Sequence, residues 1–452
     1  MCLANDFTEY FDHLAQMAYD NNVTACEDFE KYDVKRGLRN ANGTGVLVGL
    51  TRIADVYGYK LVDGVKIPDE GRLSYRGIDI RDLVEGFQQE KRRGFEESVF
   101  LLLFGKLPTQ SELADFNALL DDYRALPPGY TESMILKIPS KDIMNKLMRS
   151  VLVLYSHDDD PDNTSIENVL RQSIQMIARF PTIISYGYQA KAHYIDGKSL
   201  FIHAPRRGVG TAENVLHMIR SDNRYSRTEA ETLDLLLALH ADHGGGNNSA
   251  FATHVVSSSG TDTYSALAAA IGSLKGPKHG GANKMVIEMV ADIKANVEDW
   301  SDVEQLKDYL KKILKKQAFD GQGLIYGMGH AVYTLSDPRA VLLKKKAFEL
   351  ALEKNAMKEF ELFSNIEALT KDLFKEMKGQ DVAIAANVDL YSGFVYEMLN
   401  IPADLYTPLF AVARVAGWCA HRIEQIVSDT KIMRPAYKNI LEPQPYVRLK
   451  NR

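Results

Sequence analysis

The sequence predicts an all-α protein, on the evidence of its apolar spacing, the rarity of strand patterns and its length. In residues 283–297, Val286, Met289, Val290 and Ile293 fall on one helical stripe. Strand signals are few, and the best is a short stretch, 45–56, with 59–65 as its hairpin partner. A chain of 452 residues is too long for one ordinary core, so two domains or one very large one are expected.

Helix boundaries follow from local capping signals. Residues 95–104 begin with acidic side chains, become apolar and end at Gly105. Thr109 and Glu112 then form a capping box, which predicts the start of the next helix. Residues 265–274 are rich in alanine, which predicts a buried helix with close neighbours.

Composition and charge are typical of a soluble globular protein. The 54 basic and 60 acidic residues give a net charge of −6, which argues against nucleic acid or an anionic membrane as the main partner. The three cysteines, Cys2, Cys26 and Cys419, are scattered along the chain, so neither a disulfide framework nor a zinc site is expected. This use of cysteine favours a reducing, cytoplasmic compartment. The acidic N-terminus lacks the apolar core of a signal peptide, and no apolar run is long enough to span a bilayer.

Polar residues without an obvious structural reason first appear at 240–250, HADHGGGNNSA. His240 and His243 are three residues apart and could share a helical face. Together with Asp242 they could resemble a metal-binding site. A histidine at a helix end also satisfies the last carbonyls, and this explanation is favoured over metal. The three glycines leave contact between the backbone and a ligand open.

A second histidine, His279, stands in the stretch 276–283, GPKHGGAN, between two predicted helices. The first helix ends at Gly276 and the second begins near Asn283. A helix N-terminus lowers the pKa of an imidazole, which then serves as an uncharged donor to a carbonyl. The neighbouring glycines indicate that something approaches the ring; the alternative is a solvent-exposed turn.

The third stretch, 321–340, reads GQGLIYGMGHAVYTLSDPRA. Four glycines precede His330, and Asp337 and Pro338 are typical of the N-cap and first position of a helix. Arg339 then lies in the first turn, where the helix dipole disfavours a cation, so an anionic partner is expected. No strand and no G-x-x-x-x-G-K-[ST] pattern indicates a nucleotide-phosphate loop.

The fourth group combines one acid with two arginines. Asp389 lies just before a predicted helix, Arg414 interrupts an apolar helix, and Arg434 precedes a proline. An unpaired buried guanidinium is costly, so Arg414 needs a carboxylate from the protein or from a substrate. Arginines suit a small polycarboxylate, and aspartate with histidines suits proton removal beside a carbonyl.

These stretches, HADHGGGNNSA, GPKHGGAN, GMGHAVYTLSDPR and NVDLYSG in this order, resemble the signature stretches of citrate synthase. RLSYRGIDI at 72–80 and FEESVFLLLFGKLPT at 95–109 do so too. The resemblance covers about 72–434, most of the chain. Each motif alone is modest, but their shared order is specific.

The resemblance implies an almost wholly helical homodimer. Its large domain would span 1–279 and 391–452, its small domain 280–390, and the active site would lie in the cleft between them. The enzyme would be an acyltransferase of the tricarboxylic acid cycle that condenses acetyl-CoA with oxaloacetate and hydrolyses citryl-CoA to citrate and CoA. CoA would be a co-substrate and product, with no permanently bound cofactor and no metal.

The resemblance also implies residue roles. Asp389 would remove a proton from the acetyl methyl group, His279 would stabilise the enol, and His330 would polarise and protonate the ketone of oxaloacetate. The remaining oxaloacetate ligands or neighbours would be His243, Asn247, Arg339 and Arg414, with Arg434 donated across the dimer interface and Ser249 orienting His279. The loop that wraps the CoA adenine would include Leu324, Ile325, Gly327 and Gly329.

Two departures shape these expectations. Some members of the family carry a basic residue where this chain has Thr334, so a CoA phosphate contact is not expected there. The segment before Arg72 does not clearly match the β-rich domain of NADH-inhibited hexameric members, so a dimer is expected.

Three other functions stay open. The nearest is 2-methylcitrate synthase, which shares the motifs and uses propionyl-CoA. A non-catalytic paralogue that binds ligands or partners is disfavoured by the intact Asp389, His279 and His330. A metal protein built on His240, Asp242 and His243 is the third.

Overall fold

The computed structural model describes residues 8–379, 383–428 and 431–452. In these residues the chain is mostly helical, which confirms the predicted all-α class. The helices are α1 Thr8–Asp20, α2 Cys26–Lys31, α3 Ile80–Gln89, α4 Phe95–Phe104, α5 Gln110–Tyr123, α6 Ile143–Leu154, α7 Ile166–Tyr194, α8 Thr211–Ile219, α9 Arg227–His240, α10 Asn248–Ser257, α11 Thr263–Lys275, α12 Ala282–Asn296, α13 Val303–Leu314, α14 Pro338–Glu353, α15 Met357–Lys378, α16 Val388–Met398 and α17 Tyr406–Ser428. Cys2 lies outside the described residues.

The chain forms two compact units. The first comprises Met1–Val48 and Arg434–Arg452 and contains α1 and α2. The second, Gly49–Met433, holds the sheet and all the remaining α-helices given above. The predicted division into large and small helical domains falls largely within this second unit and remains a prediction.

The core of the second unit is built around two long helices, α7 and α17. They pack against each other, and α17 also packs against α4, α9, α10 and α11. Most of α17 is buried, including Trp418 and Cys419. None of the helices in the described part of the chain is both long and apolar enough to cross a bilayer.

Predicted helix boundaries agree closely with the structure where capping decided them. α4 ends at Gly105, whose φ of 76° lies in the left-handed region. At the start of α5, the Glu112 amide donates to Thr109 Oγ1 over 3.2 Å, and the Thr109 amide donates to Glu112 Oε2 over 2.8 Å. The predicted stripe of α12 is buried, with exposures of 0–2% for its four apolar residues.

The predicted strand positions are wrong, although a hairpin is present. Strand β1 covers Ala54–Val62, β2 covers Val65–Tyr75 and β3 covers Ile78–Asp79, in an antiparallel sheet of order β1-β2-β3. The two-residue turn is Asp63-Gly64, and both residues have positive φ, 51° and 78°. This Asp-Gly signal sets the register, whereas most of the predicted strand 45–56 lies before β1, where Leu47, Val48 and Leu50 are exposed, the last at 93%.

Candidate active site

The loop after α9 separates His240 from His243. α9 ends at His240, so the two histidines do not share a helical face, and the favoured expectation of a helix end in this stretch is confirmed. The His240 Nδ1–H donates to the Leu236 carbonyl over 2.9 Å, as expected for a histidine at a helix end. The Nε2 atoms of His240 and His243 are buried without a hydrogen-bond partner among the described residues. Burial lowers the pKa of His240 to about 3, and burial together with the Arg339 charge holds the pKa of His243 well below its usual value. Both rings are therefore neutral near pH 7.

His279 lies in the predicted turn between α11 and α12. Burial, assisted by the Arg414 charge, lowers its pKa to about 4, so the imidazole is neutral as predicted. The cause differs from the predicted helix dipole: it is desolvation. The neighbouring glycine also has a different purpose. A Cβ on Gly280 would lie 2.3 Å from the Leu274 carbonyl oxygen, so the protein's own chain approaches at that position.

Ser249 orients the His279 ring. His279 Nε2 lies 3.0 Å from Ser249 Oγ, and Trp418 Nε1–H donates to the same oxygen over 3.0 Å. Ser249 Oγ is also 2.8 Å from Asn247 Oδ1, so its single proton can go to Asn247 or to His279. When the hydroxyl donates to Nε2, the proton of the neutral ring is on Nδ1.

The structure fixes the tautomer of His330. Its Nδ1 accepts the backbone N–H groups of Val332 and Tyr333, over 3.0 and 3.1 Å. Burial and the Arg339 charge lower its pKa to about 4. The neutral ring therefore carries its proton on Nε2. The centroid of the His330 ring lies 5.1 Å from that of His243 and 4.6 Å from that of Tyr333.

Arg339 finds its anionic partner within the protein. Asp337 and Pro338 occupy the predicted N-cap and first position of α14. Arg339 donates from Nε and Nη2 to the two oxygens of Asp337, over 3.1 and 2.8 Å. Asp337 Oδ2 also accepts the Val388 amide over 3.2 Å, which ties α14 to the start of α16. Nη1 makes no hydrogen bond to a described residue, so this nitrogen is available to another anion.

Arg414 has a different environment. It is 1% exposed, and its Nε donates to the His240 carbonyl over 2.7 Å. Its Nη1 and Nη2 are buried without a hydrogen-bond partner in the described chain. Burial lowers the pKa of Arg414 only to about 10, so it stays charged. The sequence left open a protein or a substrate carboxylate as its partner, and the described protein supplies none within hydrogen-bond distance.

Asp389 is the second residue of α16, so it lies inside the first turn and not just before the helix as predicted. Asn387 is the N-cap, and its Oδ1 accepts the Asp389 amide over 2.9 Å. Asn387 Nδ2 donates to the Gly329 carbonyl over 2.8 Å, which joins this segment to the His330 loop. Burial raises the pKa of Asp389 to about 6, against the opposing effect of Arg339. A carboxyl with this pKa is well matched to accept a proton near neutral pH.

The two buried arginines connect the predicted residues into one site. The Arg414 charge acts on His243, His279 and Asp389, and the Arg339 charge acts on His243, His330 and Asp389. Thus Asp389 and each of the three histidines lie within electrostatic range of at least one of these two positive charges.

Three of the four residues predicted to contact the CoA adenine line a common cavity. This cavity, of about 290 Å³, is lined by Leu324, Ile325 and Gly327, though not by Gly329.

Arg434 is exposed and belongs to the first compact unit, whereas the histidines and Asp389 belong to the second. The structure therefore leaves the predicted role of Arg434 untested.

A cluster of possible metal ligands lies next to the site, but hydrogen bonds account for most of its polar atoms. In the described chain His254, His421 and Glu424 bring three ligand atoms within 4.8 Å of one another, whereas the predicted set of His240, Asp242 and His243 does not. His254 Nε2 and His421 Nδ1 are 3.1 Å apart, and His421 Nε2 lies 3.1 Å from Asp242 Oδ1. Burial opposes the charge on His421, but Asp242 and Glu424 raise its pKa to about 9. We interpret the cluster as a buried relay that anchors Asp242.

Sequence reasoning missed three supporting residues. Asp337 was identified as an N-cap but not as the partner of Arg339, although the spacing D-P-R contains that signal. Tyr333 and Trp418 had no signal beyond their aromatic character, because their contacts join segments far apart in the chain.

The assembled groups suit one kind of chemistry. Two buried cations with unused donors favour a small dianion, and a neutral Nε2–H donor at His330 can polarise its carbonyl. Asp389 can remove a proton from a second substrate held near neutral His279.

Comparisons with known proteins agree with this chemistry. The family described as "Citrate synthase, C-terminal domain" matches residues 41–436. A citrate synthase of Haloferax volcanii is 34% identical over 407 residues, 89% of this chain and 94% of the relative. The 2-methylcitrate synthase 1 of Corynebacterium glutamicum is 31% identical over 416 residues, 90% of this chain and 96% of the relative. A solved ternary complex of carboxymethyl coenzyme A and oxaloacetate with citrate synthase from Thermoplasma acidophilum aligns with a TM-score of 0.74 and 26% identity, over 93% of this chain and 99% of that one.

Proposed function

We propose that this chain, which belongs to the citrate synthase family, condenses acetyl-CoA with oxaloacetate and hydrolyses the resulting citryl-CoA to citrate and CoA. It is an acyltransferase. The observation that carries the choice of substrate is Arg414, a buried charged guanidinium with two unpartnered nitrogens beside three neutral histidines. A carboxylate of oxaloacetate would satisfy both nitrogens in a bidentate pair.

Oxaloacetate would bind first, among the buried cations. Arg414 would hold one carboxylate, and the remaining donor of Arg339, together with His243, would contribute to the other contacts. His330 Nε2–H would then face the ketone oxygen, and its fixed tautomer supports this role because Nδ1 is already occupied as an acceptor. Asn247 would act from the edge of the site, through Ser249.

Acetyl-CoA would bind next to His279 and Asp389. The Asp389 carboxylate would take a proton from the methyl carbon, and the neutral His279 would donate a hydrogen bond to the thioester oxygen as the enol forms. Because the pKa of the His279 imidazolium is about 4, the ring is a neutral N–H donor and stabilises the enol without becoming charged. The enol carbon would attack the ketone of oxaloacetate while His330 supplies a proton to the ketone oxygen.

The cavity formed by Leu324, Ile325 and Gly327 would receive the adenine of CoA, with Gly329 nearby in the same loop. The released product is free CoA, so no permanently bound cofactor is needed. Water would complete the reaction by hydrolysing the citryl thioester.

The organisation around this site is also proposed. A large domain, 1–279 and 391–452, and a small domain, 280–390, would close over the substrates and exclude water. Two chains would form a homodimer in the cytoplasm, and Arg434 would reach oxaloacetate in the partner's site.

The test is release of free thiol from acetyl-CoA and from propionyl-CoA, each with and without oxaloacetate. Oxaloacetate-dependent release of thiol, with a higher kcat/KM for acetyl-CoA than for propionyl-CoA, supports the proposal. A higher kcat/KM for propionyl-CoA would assign the chain to 2-methylcitrate formation, since one methylene changes binding by only about 1–3 kcal/mol. No release from either thioester would contradict a catalytic role.

A further inference from the structure

The β1–β2 hairpin contains a bulge that faces the loop of His330. On β1 only Gly58 stands between two paired residues, whereas on β2 the three residues 69–71 stand between the corresponding partners. Such a mismatch bends the strands and leaves backbone groups without ladder partners. Those groups must find hydrogen bonds elsewhere.

Thr334 supplies the missing partners. Its hydroxyl accepts the Asp69 amide over 3.1 Å and donates to the Gly58 carbonyl. The Gly71 amide, at the other end of the bulge, donates to Ser336 Oγ over 3.3 Å. The Thr334 side chain thus takes the place of a strand residue at the bulge. The Ser336 side chain binds the end of the bulge at Gly71.

The fit between hairpin and loop leaves no space for side chains. A Cβ on Gly58 would lie 2.7 Å from Tyr333 Cα, and a Cβ on Gly71 would lie 2.0 Å from the Ser336 carbonyl oxygen. Both glycines are buried. A methyl group at either position would therefore displace the hairpin or the loop backbone.

The residue that packs on Gly58 also contacts the imidazole of His330. Tyr333, whose Cα packs on Gly58, donates its own amide to His330 Nδ1 over 3.1 Å. The amides of Val332 and Tyr333 hold the ring in the tautomer that presents Nε2–H. The hairpin therefore packs directly against a residue that holds the ring of His330.

We propose that the bulge, through Gly58 and Thr334, is a positioning element that aims the Nε2–H of His330 at the ketone of oxaloacetate. The kinetic part of this inference rests on the proposed function. The same fit gives Thr334 a role of its own at the position where some relatives carry a basic residue.

Three variants and a control test the inference. Thr334→Val removes the hydroxyl at nearly constant shape, Thr334→Ser retains it, and Gly58→Ala adds the methyl group that the loop cannot accommodate. Val62→Ala is the control, because Val62 lies at the exposed tip of the same hairpin, 48% exposed. Kinetic constants for both substrates would be measured beside ¹⁵N spectra of protein labelled at histidine, with His330 signals identified from His330→Asn.

We expect kcat/KM for oxaloacetate to fall about tenfold in Thr334→Val and about 100-fold in Gly58→Ala, with Thr334→Ser and Val62→Ala near wild type. The His330 nitrogens should show one tautomer in wild type and Thr334→Ser, and a mixture in the two damaged variants. Folded Thr334→Val and Gly58→Ala proteins with wild-type kinetics and unchanged His330 signals would overturn the inference. A lower Tm with wild-type kinetics and unchanged His330 signals would also overturn the inference. If Gly58→Ala fails to fold, the comparison of Thr334→Val with Thr334→Ser still tests the inference. If the wild-type protein released no CoA, the proposed function would fail, but the nitrogen signals would still test the positioning.

Discussion

Replacing Asp389 with asparagine should slow the reaction and stabilise the fold at the same time. The loss of the base should lower kcat by about 10²–10⁴. Burial holds the pKa of this carboxyl at about 6, compared with 3.8 for a free aspartate. That difference corresponds to about 3 kcal/mol of free energy that the charged group costs the folded state above pH 6.

The sign of this effect determines its pH dependence. A folded-state pKa above the unfolded value means that the native protein binds the proton more tightly, so stability is lost as pH rises from 3.8 to 6. Asp389→Asn should therefore exceed wild type in unfolding free energy by up to about 3 kcal/mol at pH 8 and match it below pH 4. Wild-type kcat/KM for acetyl-CoA should fall tenfold per pH unit below about pH 6, the same pKa.

Urea unfolding at pH 4, 6 and 8 and thiol release over the same range would measure both effects. Asp115→Asn is the matched control, because Asp115 is an exposed aspartate on α5 and should change neither quantity. Near-wild-type turnover of Asp389→Asn would exclude Asp389 as the base. A variant that is inactive but no more stable than wild type at pH 8 would refute the argument from burial.

The remaining predictions concern the anion site, the His279 turn and assembly. Arg414→Met should weaken oxaloacetate binding, measured by calorimetry, by at least about 30-fold and should raise the Tm of the ligand-free protein, because two unpartnered buried donors are removed; unchanged affinity would contradict the substrate assignment. Gly280→Ala should lower the unfolding free energy by about 1–3 kcal/mol, whereas Gly86→Ala, with open space in α3, should raise it by up to about 1 kcal/mol; equal effects in denaturant unfolding would show that the close approach at Gly280 is unimportant. Mixing Arg434→Ala with Asp389→Asn should restore about half of the wild-type activity per heterodimer, because one site then carries neither change; no recovery after exchange confirmed by mass would show that Arg434 does not act across the interface.

Helix positions were predictable where local signals decide them. The capping box at Thr109, the terminal Gly105 and the N-cap Asp337 each act through neighbours within a few residues. The predicted strand 59–65 runs through Asp63-Gly64, the turn that sets the hairpin, so the predicted strand positions were wrong.

By itself, then, the sequence determined the helical class and supplied the proposed reactive residues, and it pointed to the reaction through motifs in a recognisable order. Tertiary structure decided how those residues behave. The pKa of about 6 at Asp389 arises from burial, and the two unpartnered nitrogens of Arg414 can be recognised only when every neighbouring segment is in place. The contact between Gly58 and Tyr333 joins segments more than 250 residues apart. Desolvation and close packing depend on what surrounds an atom in space, and the order of residues along the chain does not contain that information directly.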